Sequence, residues 1–136
     1  MLFIRLPSGR TLSYVQPEFT TNRFGGESVR YKGLDSSHKW TWVESYGPKF
    51  VENIVQGISR DLLCNAMRNL QSGPTGTVLL EPLFGIVAHV HDELILEADP
   101  ETTVEEIALK MAICPPWAKG LLLRADGFIT DYYRKD

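Results

Sequence analysis

The order of elements in this chain predicts an α+β domain with an antiparallel sheet, and three observations carry that prediction. Short β-prone runs joined by turn residues open the chain. One long stretch in the middle has helical spacing between clear start and stop signals. A second pair of apolar runs, Phe84 to Val90 and Glu93 to Ala98, then meets at a tip that reads Val90-His91-Asp92-Glu93. The 136 residues, 43% hydrophobic and 10% aromatic, suffice for one packed domain and exclude a disordered tail.

Leu2 to Leu6 and Thr11 to Val15 read as a hairpin through Pro7-Ser8-Gly9-Arg10, where proline presets one turn position and glycine accepts a positive φ. Past Gly25-Gly26, Glu27 to Lys32 alternates weakly as a third strand, which Gly33 is expected to end. The stretch from Gly33 to Lys39 reads as an exposed loop with His38 on the surface, and Trp40 and Trp42 as the lead into a helix. Gly47 serves as N-cap and Pro48 as first residue of that helix, which runs to about Leu70 and stops at Gln71-Ser72-Gly73-Pro74. Val51, Val55, Ile58, Leu62, Ala66 and Leu70 recur at three- and four-residue steps and predict its buried stripe. Thr102 or Thr103 caps a shorter helix through about Ile113, with Glu105 and Glu106 in its first turn and Pro115-Pro116 beyond its end. Leu121 to Leu123 and Phe128 to Tyr132 read as final strands around Ala125-Asp126-Gly127.

Composition narrows the function classes. No apolar run approaches the roughly 18 residues a membrane span needs, and the N-terminus reads as a strand, so the expected location is cytoplasmic with no membrane partner. Cys64 and Cys114 are too few for a disulfide framework or a zinc site and are expected in the core. A net charge of −3 weighs against a free-standing nucleic-acid binder, though less against a chain that supplies one wall of a larger groove.

The hairpin tip is the chemical oddity. Two-residue turns favour Asn-Gly, Asp-Gly or Gly-Gly, yet the link between these strands is His91-Asp92. A carboxylate placed where glycine would be easier, at the end of two apolar strands, points to a use for it, such as metal ligation. On the long helix, Lys49, Asn53, Gln56 and Arg60 share one polar face with no acid at these steps. Such a face is ordinarily solvated, but these side chains are also the donors used on phosphates, sugars and minor-groove acceptors. His89-Val90-His91 is a His-x-His pair beside Asp92, the remote alternative of a metallohydrolase using His89 and His91. Such a site needs further ligands, and the other histidine, His38, lies in a loop. His89 by itself reads as a packed or hydrogen-bonded sheet residue.

The His-Asp-Glu tip, preceded by a helix carrying Lys49, Glu52-Asn53, Gln56 and Arg60-Asp61-Leu62, resembles family A DNA polymerases, the polymerase I-like group, and most closely their bacteriophage-encoded branch. The resemblance spans essentially the whole chain. Leu6-Pro7-Ser8-Gly9-Arg10 with Leu12 and Tyr14 is similar to the palm hairpin of the catalytic core. Tyr46 to Gln56 resembles the helix before the third polymerase motif, and Val90-His91-Asp92-Glu93 that motif itself. Ala125-Asp126-Gly127-Phe128 with Tyr132 and Arg134-Lys135 resembles the closing segment.

The resemblance implies the C-terminal palm portion of a template-directed nucleotidyltransferase, 1–136, with a palm-type sheet. Its partners would be primer-template DNA and deoxynucleoside triphosphates. Asp92 would ligate catalytic magnesium (Mg²⁺), which stabilises charge on the attacking oxygen, the transferring phosphoryl and the leaving pyrophosphate. Glu93 would tune the metal site or primer end, His91 would contact the primer terminus, and Gln56 would read the minor groove, where acceptors are nearly alike for every pair. Lys49, Asn53 and Arg60 would face DNA. Glu52 and Pro48 stand near positions where the wider family commonly brings asparagine and arginine to DNA.

The family's second metal-bridging aspartate lies in a motif upstream of everything present here. Asp35, Asp61, Asp99, Asp126 and Asp131 lack its context, and the fingers helix, thumb and exonuclease are missing. The expectation is therefore a split-gene product, a decayed prophage frame or a cloned fragment, inactive alone and binding magnesium weakly or not at all. Exposed palm surface would invite pairing with an upstream polymerase fragment or self-association. A non-catalytic DNA-binding or interaction remnant is the alternative.

Overall fold

The computed structural model describes residues 1–73 and 84–133. Four strands, β1 (Leu2–Arg5), β2 (Thr11–Thr21), β3 (Glu27–Leu34) and β4 (Trp40–Ser45), form an antiparallel sheet in chain order, followed by α1 (Gly47–Gln71). A separate hairpin of β5 (Gly85–Val90) and β6 (Glu93–Glu97) precedes α2 (Val104–Met111) and a 3₁₀ turn at Pro116–Ala118. The fold is α+β, as the element order predicts. The chain divides into two compact units, Met1–Ile58 and Ser59–Asp136, and the residues of α1 are shared between them.

In the first unit the opening hairpin forms as expected. Gly9 takes φ 91°, and Leu6 and Arg10 close the turn with a 2.8 Å backbone bond. The second strand runs beyond Val15, to Thr21. Its pairing steps from Val15↔Lys32 to Glu18↔Arg30, so β2 holds one extra residue there, a bulge at Gln16 and Pro17. Proline fits such a site because a bulge leaves a residue outside the ladder, so its missing N–H costs little.

Gly33 does not end β3. It pairs with Thr41 inside the strand, and a Cβ there would stand 3.2 Å from the Tyr31 ring, so glycine makes room for that ring. Nor do Trp40 and Trp42 lead into a helix. They lie on β4, paired with Leu34 and Lys32, because the alternating Trp-Thr-Trp-Val run suits a pleated strand and β3 offers it a full ladder. The loop between them is the expected one around His38, tied by Asp35 Oδ1, which accepts from Ser37 N, Ser37 Oγ and Lys39 N. These bonds, the Lys39 N–H foremost, hold the Asp35 carboxyl below its usual range.

The first half of α1 packs on this sheet. Tyr14 stands edge-on to Tyr31 and Phe50, with ring centroids 4.9 and 5.0 Å apart. Burial raises the Tyr31 hydroxyl pKa, with Tyr14 adding to the shift and Lys49 opposing it. Leu6 and Tyr14 are buried, and Gly57 brings the helix close: a Cβ there would lie 2.9 Å from Leu6 Cδ1. Arg10 Nη2 donates to the Gly57 carbonyl at 2.8 Å. On the other face, Arg30 and Lys32 each sit 4.5 Å from the Trp42 ring, and Arg30 pairs with Glu18.

The helix begins one residue earlier than the sequence reading places it, with Gly47 helical and Tyr46 accepting from Lys49 N, so Pro48 is its second residue. The expected buried stripe holds at Ala66 and Leu70 and is corrected at Val51 and Val55. Val51 and Val55 are 58% and 56% exposed, whereas Gly57, Leu63, Ala66 and Leu70 are buried. Periodicity identifies apolar rows, but burial depends on where a partner lies, and the row of Val51 and Val55 is not the one that Phe50 and Gly57 turn toward the sheet. Pro74, read as the stop signal, lies outside the described residues.

In the second unit, Leu63, Ala66, Leu70 and Phe84 are buried. Thr103 caps α2 by accepting from Glu106 N at 3.2 Å, and Asn65 and Asn69 donate to the Ile113 carbonyl just beyond its end. Cys64 is exposed and Cys114 half-buried, donating to the Ala118 carbonyl; the core position expected for Cys64 does not hold, because the helix turns it outward. The strands expected at Leu121–Leu123 and Phe128–Tyr132 do not form: residues 119–130 carry no helix or strand, and none of the described strands pairs with them. Arg134 and Lys135 lie outside the described residues. Among the described residues no helix is long and apolar enough to cross a membrane.

Candidate functional site

The β5–β6 register pairs Val90 with Glu93 and leaves His91-Asp92 as a two-residue turn. His91 takes φ 52°, and Asp92 is not among the residues of positive φ. That sign pattern matches a type II′ turn, whose first central position favours glycine. Histidine there carries strain of about 1–3 kcal/mol, which the surrounding ladder must hold. A further irregularity lies upstream. Pairing steps from Ile86↔Leu96 to Ala88↔Ile95, so Val87 is an extra residue, and bulges of this kind bend a strand and re-aim the residues beyond them. His91 and Asp92 are exposed and Glu93 is half-buried.

The helix residues singled out by sequence have definite partners. Lys49 Nζ meets both Glu52 oxygens at 2.8 and 2.9 Å, and Gln56 Nε2 donates to Glu52 Oε1 at 3.2 Å. The bond to Glu52 is the main reason the Lys49 pKa is raised. An acid thus reaches the polar face from outside its spacing, three residues after Lys49 and four before Gln56, a signal that helical geometry carries. Asn53 is half-buried and donates to the Tyr14 hydroxyl at 3.1 Å. Arg60 Nη1 lies 3.3 Å from His89 Nδ1. The sequence reading missed Glu52 and Tyr14 as partners, and it took His89 as a sheet residue without its arginine.

Among the described residues no three His, Cys, Asp or Glu side chains gather closely enough to hold a metal ion. His89 is engaged by Arg60, so the metallohydrolase alternative gains no support. Asp92 and Glu93 are hard oxygen donors of the kind magnesium takes, and that ion commonly rests on one or two carboxylates with waters and substrate phosphates. The donor chemistry fits magnesium as part of a shell.

Over 138 aligned residues the chain is 41% identical to a DNA polymerase of Bacillus phage SP02. The chain is related to a phage DNA polymerase. The alignment takes in the whole chain and 20% of that relative, so the chain spans about a fifth of the length of the protein it matches. No protein-family model matches it, and no solved structure does.

Proposed function

We propose that this chain is the C-terminal palm portion of a family A DNA polymerase, and that it supplies one metal-ligand aspartate and a set of DNA contacts to template-directed nucleotidyl transfer. The supporting observation is the pairing of two facts: identity to a phage DNA polymerase along the whole chain, and a His-Asp-Glu triplet at a strained two-residue tip.

Asp92 is the proposed magnesium ligand, at the exposed end of a paired hairpin. Magnesium bound there would supply charge stabilisation to the reacting phosphoryl group. Glu93, half-buried beside it, adds a second carboxylate, and His91 presents its imidazole to the primer end. Gln56 is the proposed minor-groove reader. Glu52 accepts from its amide and from the Lys49 ammonium, contacts at the exposed helix surface that DNA acceptors would have to displace or share. Asn53 acts through Tyr14, fixing helix to sheet. Primer-template DNA and deoxynucleoside triphosphates are the proposed partners, with the remaining ligands and the nucleotide-binding helix supplied from outside these residues. The chain alone is proposed to be inactive. The uncovered Leu122, Ile129 and Tyr132, 96%, 78% and 69% exposed, offer surface to an upstream polymerase segment or a second copy.

The test is primer extension with magnesium and four nucleotides, by the chain alone and mixed with a polypeptide that supplies the upstream motifs. Activity in the mixture alone, lost on Asp92→Ala, is the expected result. A folded, associated but inactive mixture would reject the split-enzyme reading in favour of a non-catalytic remnant.

A further inference from the structure

The contact between Arg60 and His89 joins residues 29 apart in sequence within the second unit, and both side chains are exposed. A guanidinium keeps its protons and only donates, so at 3.3 Å His89 Nδ1 is the acceptor. A neutral imidazole that accepts at Nδ1 carries its proton on Nε2. Arg60 thereby selects one tautomer of His89, and the pair presents only donors: the Nε2–H and the other N–H groups of the guanidinium.

We propose that Arg60 and His89 form a single binding site for phosphate oxygens, in which Arg60 supplies the charge and sets His89 so that its Nε2–H is the second donor. Two observations and one general property of the guanidinium group lead there. With His89 Nδ1 as the acceptor, the ring brings no negative charge to the contact, so the contact does not offset the charge of the guanidinium. Planar guanidinium N–H groups match phosphate oxygens in pairs. The bulge at Val87 lies two residues before His89 and turns the strand locally. The site does not depend on Asp92 holding a metal. It rests on the polymerase reading for its favoured source of phosphate, the DNA backbone, where such contacts position a protein without reading sequence.

The experiment uses the full 136-residue chain, ¹⁵N-labelled. Long-range ¹H–¹⁵N spectra at neutral pH should show His89 protonated at Nε2. The chain is then titrated, without metal, with a short DNA duplex, with a deoxynucleoside triphosphate and with inorganic phosphate, following His89 Nε2 and Arg60 Nε. Shifts with the duplex at the lowest concentration assign the DNA backbone. Shifts led by the nucleotide support the site with a nucleotide as occupant, and shifts led by inorganic phosphate support it with free phosphate as occupant. No shift with any of the three overturns it.

Two variants separate the roles. His89→Asn keeps an acceptor where Nδ1 stood but removes the outer donor, and should weaken duplex binding several-fold with the salt dependence unchanged. Arg60→Gln should weaken it more and lower the slope of log K against log salt by about one. Wild-type binding by both variants, or two equally populated His89 tautomers in the unsubstituted chain, would contradict the proposal. The two readings fail separately: absence of any metal-free titration signal at His89 and Arg60 counts against this site, whereas failure of extension in the mixture counts against the polymerase reading.

Discussion

The two units of this chain use their backbone differently. In Met1–Ile58, four strands pair in an unbroken series, each turn is closed by backbone or side-chain bonds, and aromatic rings from β2, β3 and α1 interlock. In Ser59–Asp136, the described sheet is a single hairpin, and the stretch after the 3₁₀ turn lies outside any helix or strand with Leu122 and Ile129 almost uncovered. The first unit is an interlocked sheet-and-helix scaffold, although Gln16 and His38 hold positive φ within it and Phe19 and Phe24 are exposed. The second carries the strained His91 at the acidic tip, and Leu122 and Ile129 are exposed in the same unit. Positive φ at non-glycine residues and exposed apolar side chains occur in both units, but at His91 the strained residue lies on the tip where chemistry is proposed.

The largest expected disturbance of this contrast is Leu70→Ala. Leu70 is fully buried, so truncation should cost about 2–5 kcal/mol. Hydrogen exchange should show faster exchange in β5 and β6 while β2 and β3 keep their protection. Loss of protection in all four together would mean that the units unfold as one. Gly57→Ala probes the first unit. Alanine favours a helix by about 1 kcal/mol, but its Cβ would meet Leu6 at 2.9 Å, and overpacking costs about 1–3 kcal/mol. A net loss near 1 kcal/mol in chemical denaturation is expected from the balance of these two effects, and a gain would show that Leu6 yields freely.

His91→Gly reverses the sign. Relief of the positive φ should outweigh the entropy glycine loses on folding, for a gain of about 1 kcal/mol in the second unit, read by denaturation. If the polymerase reading holds, the same change weakens primer-end contact, so stability rises as extension in the mixture falls. The smallest effect belongs to Asp35. Its folded pKa lies below the ordinary value of 3.8, so its contribution is complete above that pH and is lost as pH falls through the lower folded value. Asp35→Asn should therefore flatten the acid limb of the stability profile slightly and leave neutral pH behaviour to the lost turn bonds alone.

Whether a feature can be read from sequence depends on whether it is local. The hairpin tip was legible because two apolar runs leave a fixed two-residue link, and its strain came from the wrong residues for such a turn. The α1 limits were legible to within a residue from Gly47-Pro48 and the glycine past its end. The Lys49–Glu52–Gln56 bonds obey helical spacing and were there to be found. Trp40 and Trp42 misled because a strand of β-prone residues runs almost directly into a helix start, and only the ladder to β3 shows where one ends. The apolar row of Val51 and Val55 predicted burial that the fold does not provide, since periodicity does not identify the covering partner. Arg60 and His89 meet through tertiary structure, which no local spacing announces.

Ligation of the catalytic metal by Asp92 is the hinge of the polymerase reading. To test it, this chain replaces the matching segment of the Bacillus phage SP02 polymerase, and primer extension by that chimera is compared with and without Asp92→Ala. Extension by the chimera is expected, with a loss of about 10³-fold or more in the variant, the several kcal/mol that metal stabilisation is worth. A folded Asp92→Ala chimera that extends primers as fast as its parent would contradict metal ligation by Asp92.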